Sequence, residues 1–309
     1  MKILIIVFKG IGDVLLTTPL VRAIKKNRVD VEIYFFTKKR CEKALKYNPY
    51  LSGILIRGET AFWEIRRRKF DLVIDYMLSS VSGLYARFSG AQKRLAFWRP
   101  HGFLFYNLMP RFKKKGYTIY DRLQLLDPLG INYDGISIDL KYGSENAAKV
   151  SSFFEKNGLD PGKDFIVTFH LTSSTPERRW SGPKFAELAD LLSAEHRAKV
   201  IFLRGPGEFS YVENVMALCR KNHIITPDFD ILDLAALMHN SGLHVGGTSG
   251  PMHIAVSQNT PTFTIYNHIE SPQSWGPPDK IHQYIQGDLN KLSAIHVFEE
   301  LEKHVTNVS

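Results

Sequence analysis

What most constrains this chain is an alternation that occurs twice. Short runs rich in β-branched and aromatic residues alternate with helical stretches. In the first half, strands are expected at KILIIVF (2–8), VEIYFF (31–36), GILI (53–56) and DLVID (71–75). Near-continuous apolar runs such as the first suit parallel strands covered on both faces. The pattern then restarts with DFIVTFH (164–170), KVIFLR (199–204), HIIT (223–226), LHVGG (243–247) and TFTIY (262–266). Helical segments separate them, among them GPKFAELADLLSAEH and LDLAALMHNSG. Two β/α sets in 309 residues predict two doubly wound parallel sheets, residues 1–150 and 151–309, with the join near 140–160. Ligands of such sheets bind beyond the carboxyl ends of the strands, so the loops that follow the strands are where function is sought.

Composition narrows the class. Apolar residues make up 44%, ordinary for a chain that buries a core, and no apolar run approaches the ~20 residues of a membrane span. The N-terminus MKILIIVFKGIGD runs into glycines and an acid without a small-residue cleavage site, so it reads as a buried first strand and not a signal peptide. Cys41 and Cys219 are too few for a disulfide scaffold, and a reducing cytoplasm is expected. Charge is uneven. Residues 1–150 hold 27 Lys and Arg against 13 Asp and Glu, a balance of +14, and residues 151–309 hold 13 against 18, a balance of −5. One half therefore suits an anionic partner.

Four loops carry residues fit for chemistry. In FKGIGDVLLTTPL (8–20), Gly10 and Gly12 allow a sharp turn and close ligand approach. As a dinucleotide fingerprint the loop lacks its third glycine, since Leu15 stands there, and Asp13 would face a pyrophosphate with the wrong sign. Asp13 reads either as a cap for the following helix or as an ionised base toward a substrate hydroxyl. Thr17, Thr18 and Pro19 either fill the early turns of that helix or kink it. In HLTSSTPERRW (170–180), Thr172, Ser173, Ser174 and Thr175 offer hydroxyls, and Arg178 and Arg179 add fixed charge. The set suits a diphosphate; taken alone it also reads as a solvated polar loop.

In LRGPGEFSYVENV (203–215), Glu208 could accept from a ribose or sugar hydroxyl, or simply open a helix. In GGTSGPMHIAVSQNTPTF (246–263), Thr248, Ser249 and Gly250 keep the entrance of a helix clear, and His253 lies one turn inside. Such an entrance attracts phosphate through its unpaired N–H groups and its dipole, whereas a lone helical histidine is more often satisfied by packing. Asp228 and Asp230 look like a metal-binding pair, yet Asp230 and Asp233 read better as a capping box. No His/Cys cluster has metal spacing, so neither a metal nor a cofactor is expected.

The basic half carries the runs IRRRKF (65–70) and FKKK (112–115), the second inside the aromatic segment HGFLFYNLMPRFKKKGY (101–117). Such segments suit an anionic membrane surface, where each Lys or Arg contributes on the order of 1 kcal/mol, or a core segment followed by a solvated turn. Arg66, Arg67 and Arg68, with Gly10 and Gly12, are candidates for an acceptor site. No RNP, KH or zinc-finger pattern appears, so nucleic acid is not an expected partner.

In combination and in this order, GIGDVLLTTPLVRAIK, YDRLQLLDPLGI, PERRW and TSGPMHIAVSQNTPTFTIY resemble the bacterial heptosyltransferases, glycosyltransferase family 9, over nearly the whole chain. The resemblance implies two Rossmann-like domains facing a cleft, the GT-B arrangement, with acceptor on the N-terminal domain and donor on the C-terminal one. It implies metal-independent, inverting transfer of heptose from ADP-heptose to a lipopolysaccharide or lipooligosaccharide core. By motif match Asp13 would be the base. Arg178 would stand where the family usually has a lysine beside the diphosphate, Ser173 and Ser174 would be phosphate-loop hydroxyls beside Thr172, and Glu208 the ribose acid. Ser249, Gly250 and His253 would form the phosphate signature.

Thr248 departs from the usual aspartate, which would contact the donor sugar, and so opens the donor to sugars other than heptose. The expected partners are a nucleotide sugar, a phosphorylated lipid-linked glycan and an anionic inner-membrane surface, with the protein cytoplasmic and peripheral. Three alternatives stand beside this reading: transfer of another nucleotide sugar in envelope glycan synthesis, a catalytically silent glycan- or lipid-binding relative, and a dinucleotide-dependent oxidoreductase.

Overall fold

The computed structural model describes residues 1–173 and 175–305; Ser174, one of the expected donor residues, lies outside the described residues. The chain divides into two compact units, Met1–Lys141 and Tyr142–Ser309.

In the first unit, strands β1 (Lys2–Ile6), β2 (Glu32–Thr37), β3 (Gly53–Ile56), β4 (Leu72–Asp75) and β5 (Lys93–Leu95) form a parallel sheet in the order β3-β2-β1-β4-β5. Its helices are α1 (Ile11–Leu15), α2 (Thr18–Asn27), α3 (Phe62–Arg67), α4 (Ser80–Phe88) and α5 (Thr118–Leu123). β1 is central, which explains its unbroken apolar run: residues from Ile3 to Val7 are buried. Between β1 and β4 the strand order reverses, with Ile6 opposite Asp75, and the carboxyl ends of these two strands flank the natural ligand crevice.

Pro19 settles the question left open at Thr17. It lacks an N–H for the carbonyl of Leu15, so α1 ends and α2 begins, with Pro19 in the first turn of α2. The Thr18 hydroxyl donates to that carbonyl at 2.7 Å, and the Thr17 hydroxyl to the Asp13 carbonyl at 2.8 Å.

The second unit holds β6 (Ile166–His170), β7 (Lys199–Leu203), β8 (Ile224–Ile225), β9 (Leu243–Gly246), β10 (Thr262–Asn267) and β11 (His282–Gly287), parallel in the order β11-β10-β9-β6-β7-β8. Its helices are α6 (Ser144–Lys156), α7 (Gly182–His196), α8 (Phe209–Met216), α9 (Ile231–His239), α10 (Gly250–Ser257), α11 (Pro272–Trp275) and α12 (Ala294–Val305). Here the order reverses between β6 and β9, where His170 lies opposite Gly246. A core of Val167, Phe169, Phe185, Phe202, Val245 and Phe263 packs this sheet against its helices. Asp230 and Asp233 form a reciprocal capping box at the start of α9.

Side-chain anchors account for where the units divide. Arg22 of α2 is buried and binds Asp134 at 3.0 Å, the carbonyl of Ser137 at 2.6 Å and the Asp139 carboxylate, fastening the segment up to Lys141 onto the first unit. Asn146 and Lys149 of α6 both bind Asp233 of α9, so the helix that spans residue 150 belongs wholly to the second unit. Strands β5 and β11 were not among the expected strands. Both are sheet edges with polar sequences, KRL and HQYIQG, which carry little of the apolar signal a covered strand shows.

Candidate active site

Each unit places a set of polar residues at its own strand-order reversal. In the first, Gly10 in extended conformation opens α1, a turn without a side-chain cap, and Asp13 follows in its first turn. The Asp13 carboxylate does not serve as that cap. It receives the Arg122 guanidinium of α5 at 2.6 Å and has Lys9 at 4.0 Å. Arg122 also donates to the Asp13 carbonyl and to the Thr17 hydroxyl.

The guanidinium is 1% exposed, and the Asp13 side chain 19%. Tyr76, the residue after β4, lies with its ring 4.3 Å from the Arg122 guanidinium carbon and 5.6 Å from the Lys9 ammonium. A buried pair fixes the Tyr76 loop: Tyr106 donates to Asp75, which also accepts from the Met77 amide at 2.7 Å. Burial pushes the Asp75 carboxyl above the usual carboxylate range and the Tyr106 hydroxyl upward as well. The first unit thus holds a partly exposed carboxylate on the Arg122 guanidinium, beside the Tyr76 ring.

Arg66, Arg67 and Arg68 are not brought to this carboxylate. Helix α3 returns the chain from the carboxyl end of β3 to the amino end of β4, so its last turn lies at the opposite end of the sheet. Arg68 sits over the Tyr34 ring at 5.2 Å, beside the first residue of β3, and Arg67 over Trp63 at 5.3 Å. Cations that do stand at the carboxyl ends of the strands include Lys9, Arg122 and Arg57, the last over the Phe8 ring at 5.1 Å.

In the second unit the loops after β6 and β9 meet through His170. Its Nδ1 lies 3.0 Å from the Ser249 hydroxyl and its Nε2 3.3 Å from the Thr172 hydroxyl. Thr172 in turn donates to the Glu208 carboxylate, whose other oxygen accepts the Gly205 amide at 2.6 Å. One chain of bonds therefore links Ser249, His170, Thr172 and Glu208. Burial holds His170 below the usual histidine range, so it serves as a neutral donor and acceptor.

Ser249 precedes α10 without capping it, with Gly250 and Pro251 in the first turn, and the α10 entrance remains available to an anion. His253 is buried one turn further along, 6.4 Å ring to ring from Trp275. The Thr248 hydroxyl is buried without a hydrogen-bond partner among the described residues. Ser173 accepts the Thr175 amide at 3.3 Å, and its carbonyl accepts from Arg179 at 2.7 Å, which closes the loop. Arg178 lies 3.3 Å from the buried Glu270 carboxylate beyond β10 and is 37% exposed. A Cβ on Gly247 would come within 3.2 Å of the Arg178 carbonyl, so glycine permits the close approach of the two loops.

Asp190, Cys219 and His223 form the group of metal-type ligands found among the described residues. The Asp190 carboxylate already accepts the Arg220 amide at 2.7 Å, the Lys221 amide at 3.0 Å and sits 3.0 Å from His223, so it closes a turn.

Residues 60–304 match glycosyltransferase family 9 (heptosyltransferase). The chain belongs to glycosyltransferase family 9. It is 24% identical over 317 residues to lipopolysaccharide heptosyltransferase 3 of Escherichia coli (strain K12), covering 96% of this chain and 91% of that relative. Among solved structures it resembles the family 9 glycosyltransferase of Veillonella parvula, with a TM-score of 0.87 at 22% identity over 99% of this chain and 97% of that one. E. coli heptosyltransferase WaaC with ADP gives a TM-score of 0.75 at 16% identity over 100% and 99% of the two chains. The two parallel-sheet units are thus the domains of a GT-B glycosyltransferase. No helix among the described residues is long and apolar enough to cross a membrane.

The sequence reading did not single out three residues that the structure places beside these side chains. Arg122 stands inside YDRLQLLDPLGI, and the signal was a lone arginine in a stretch otherwise built to be buried. Tyr76 and His170 sit where β4 and β6 end, positions that stand out once strand order shows which ends flank the reversal.

Proposed function

We propose that this glycosyltransferase moves a sugar, in the first instance heptose, from an ADP-activated donor to a lipopolysaccharide-core type of acceptor by metal-independent inversion. The observation that carries the reading is the convergence at the β6/β9 reversal of the Thr172–Ser173 loop, Arg178, Glu208 and the α10 entrance. That set suits a nucleoside diphosphate: the helix entrance and guanidinium meet the phosphates, and Glu208 a ribose hydroxyl. Relatives point the same way, since one neighbour holds ADP and one curated relative is a lipopolysaccharide heptosyltransferase.

In the reaction, the acceptor oxygen forms the new bond to the anomeric carbon while the anomeric C–O bond to the diphosphate breaks. The electron pair leaves on the nucleoside diphosphate, and the acceptor proton passes to Asp13. The departing charge is stabilised by preorganised donors at α10 and by Arg178. A positioned base contributes roughly 10²–10⁴-fold. Inversion needs a single base, and the Arg122 fork aims that base. Lys9 and Arg57 suit a phosphorylated acceptor.

The donor sugar is read beside Thr248, whose smaller neutral side chain replaces the family's usual aspartate and favours a test across sugars. Melting temperature is measured with ADP-, GDP-, UDP- and dTDP-sugars, followed by transfer assays with those that bind. At about 100 Kd a ligand adds about 2.7 kcal/mol of stability. An upward shift with ADP-heptose and transfer to a core acceptor are expected. A shift confined to NAD(P) would overturn the reading in favour of a dehydrogenase.

A further inference from the structure

Besides the loops after β6 and β9, a third loop of the second unit reaches the turn that carries Arg178. It follows β10, the strand next to β9, and runs from Asn267 to the start of α11 at Pro272. The loop is closed on itself: the Asn267 amide donates to the Glu270 carboxylate at 2.9 Å, and the Glu270 amide donates to the Asn267 carbonyl at 3.0 Å. Gln286 of β11 donates to the Glu270 carbonyl at 2.8 Å. The same loop grips the turn Pro176–Arg178, since the Asn267 side-chain amide donates to the Glu177 carbonyl at 2.5 Å. Gly247, in the loop after β9, stands against the Arg178 carbonyl. The backbone beneath Arg178 is therefore fixed from two loops.

Glu270 fixes the other end of the side chain. Its carboxylate is 2% exposed, and Oε2 is taken by the Asn267 amide. Oε1 receives no directed hydrogen bond among the described residues, and the Arg178 Nε lies 3.3 Å from it. A carboxylate buried so deeply is costly unless a cation answers it. The guanidinium itself is 37% exposed, and this ion pair is what ties it to the described residues. Pairing at Nε leaves the Nη donors for an anion. An arginine can thus serve a buried carboxylate and a phosphate at once, whereas a lysine ammonium is a single point of charge.

We infer that Glu270 is the positioning residue for Arg178, holding the guanidinium so that its Nη donors are presented to the donor diphosphate before the donor arrives. The inference rests on the reading that Arg178 meets the diphosphate, and it adds the group that orders Arg178 in advance. The gain is entropic, because a ligand that meets an ordered side chain does not have to order it. Charge alone predicts the opposite sign: a carboxylate near a diphosphate repels it, so neutralising Glu270 would tighten binding.

The test is calorimetric titration of the full chain with ADP, well below the melting temperature of each variant. Glu270→Gln keeps the shape and an acceptor for the Asn267 amide, and its ADP affinity is expected to fall by about 3–10-fold, the equivalent of ordering one rotamer-rich side chain. In an Arg178→Ala background the same substitution is expected to change affinity by less than about twofold, because Glu270 acts through the guanidinium. A merely structural loss would persist in that background. Arg178→Lys keeps the charge beside Glu270 but not the fork, and is expected to bind ADP at least about threefold more weakly than wild type. It carries the test should Glu270→Gln fail to fold.

Wild-type or tighter ADP binding by Glu270→Gln or by Arg178→Lys would overturn the proposal. So would a loss from Glu270→Gln that is undiminished in the Arg178→Ala background. Weaker binding by Arg178→Ala with unchanged binding by Glu270→Gln would leave the donor reading standing and defeat the positioning role alone. Wild-type affinity in Arg178→Ala would defeat both.

Discussion

Replacing Arg122 by glutamine tests whether the first unit holds Asp13 for chemistry or merely for packing. The guanidinium is 1% exposed and spends its donors on the Asp13 carboxylate, the Asp13 carbonyl and the Thr17 hydroxyl, with Tyr76 beneath it. Its loss leaves the carboxylate with Lys9 at 4.0 Å. Breaking one side of a buried pair costs about 3–5 kcal/mol. Because the Asp13 side chain keeps 19% of its surface in water, the lower end applies, and about 3 kcal/mol is expected.

In a domain of this size that is a melting shift of roughly 5–10 °C. The functional effect is separate. A base moved by an ångström loses on the order of 10²-fold in rate, so kcat is expected to fall at least that far, while ADP affinity, which the proposal assigns to the second unit, is expected to stay within about twofold. Arg122→Lys keeps charge without the fork and is expected to fall between the two. The assay is transfer kinetics at a temperature well below melting, paired with ADP titration. A glutamine variant that is less stable yet turns over at the wild-type rate would refute the reasoning and leave Arg122 a packing residue.

Other perturbations address the second unit. Arg178→Ala should weaken ADP binding by about 1.5–3 kcal/mol, the value of a hydrogen bond to a charged group, and calorimetry showing unchanged affinity would count against its place at the diphosphate. His170→Gln should raise KM for the donor more than it lowers kcat, because it breaks the link between Ser249 and Glu208 without touching the base; an unaltered KM would remove His170 from donor positioning. Stability should fall with acid. Burial holds His244 at about 3 and His282 at about 4, below their ordinary value of 6.5, so the unfolded chain takes up protons that the fold refuses. The contribution is full above pH 6.5 and shrinks below it, by about 2 kcal/mol per histidine from pH 7 to 5, and His282→Asn should flatten the urea-measured slope by one such share.

Much of this was legible in the residues, for identifiable reasons. β1, β6 and β7 are central and buried on both faces, so their apolar runs stand out at any window. β5 and β11 are edges and share little of that signal. The expected donor loops lie after β6 and β9 because small and hydroxyl residues at strand ends have a local cause. What sequence could not supply was pairing across distance. Nothing local says that Arg122 returns 109 positions to Asp13, or that Tyr76 forms the floor between them. The same limit applies to Arg66, Arg67 and Arg68, which the structure places away from Asp13. A dense cationic run looks like a binding site until the direction of α3 shows which end of the sheet it faces.

The most direct measurement is transfer by Asp13→Asn, an isosteric change that removes the proton acceptor and keeps a partner for Arg122. With saturating ADP-heptose and core acceptor, product formation is predicted to drop by roughly 10²–10⁴-fold, while ADP raises the melting temperature as much as it does in the wild type. Undiminished product formation would mean that another group takes the acceptor proton, and the assignment of the base would be wrong.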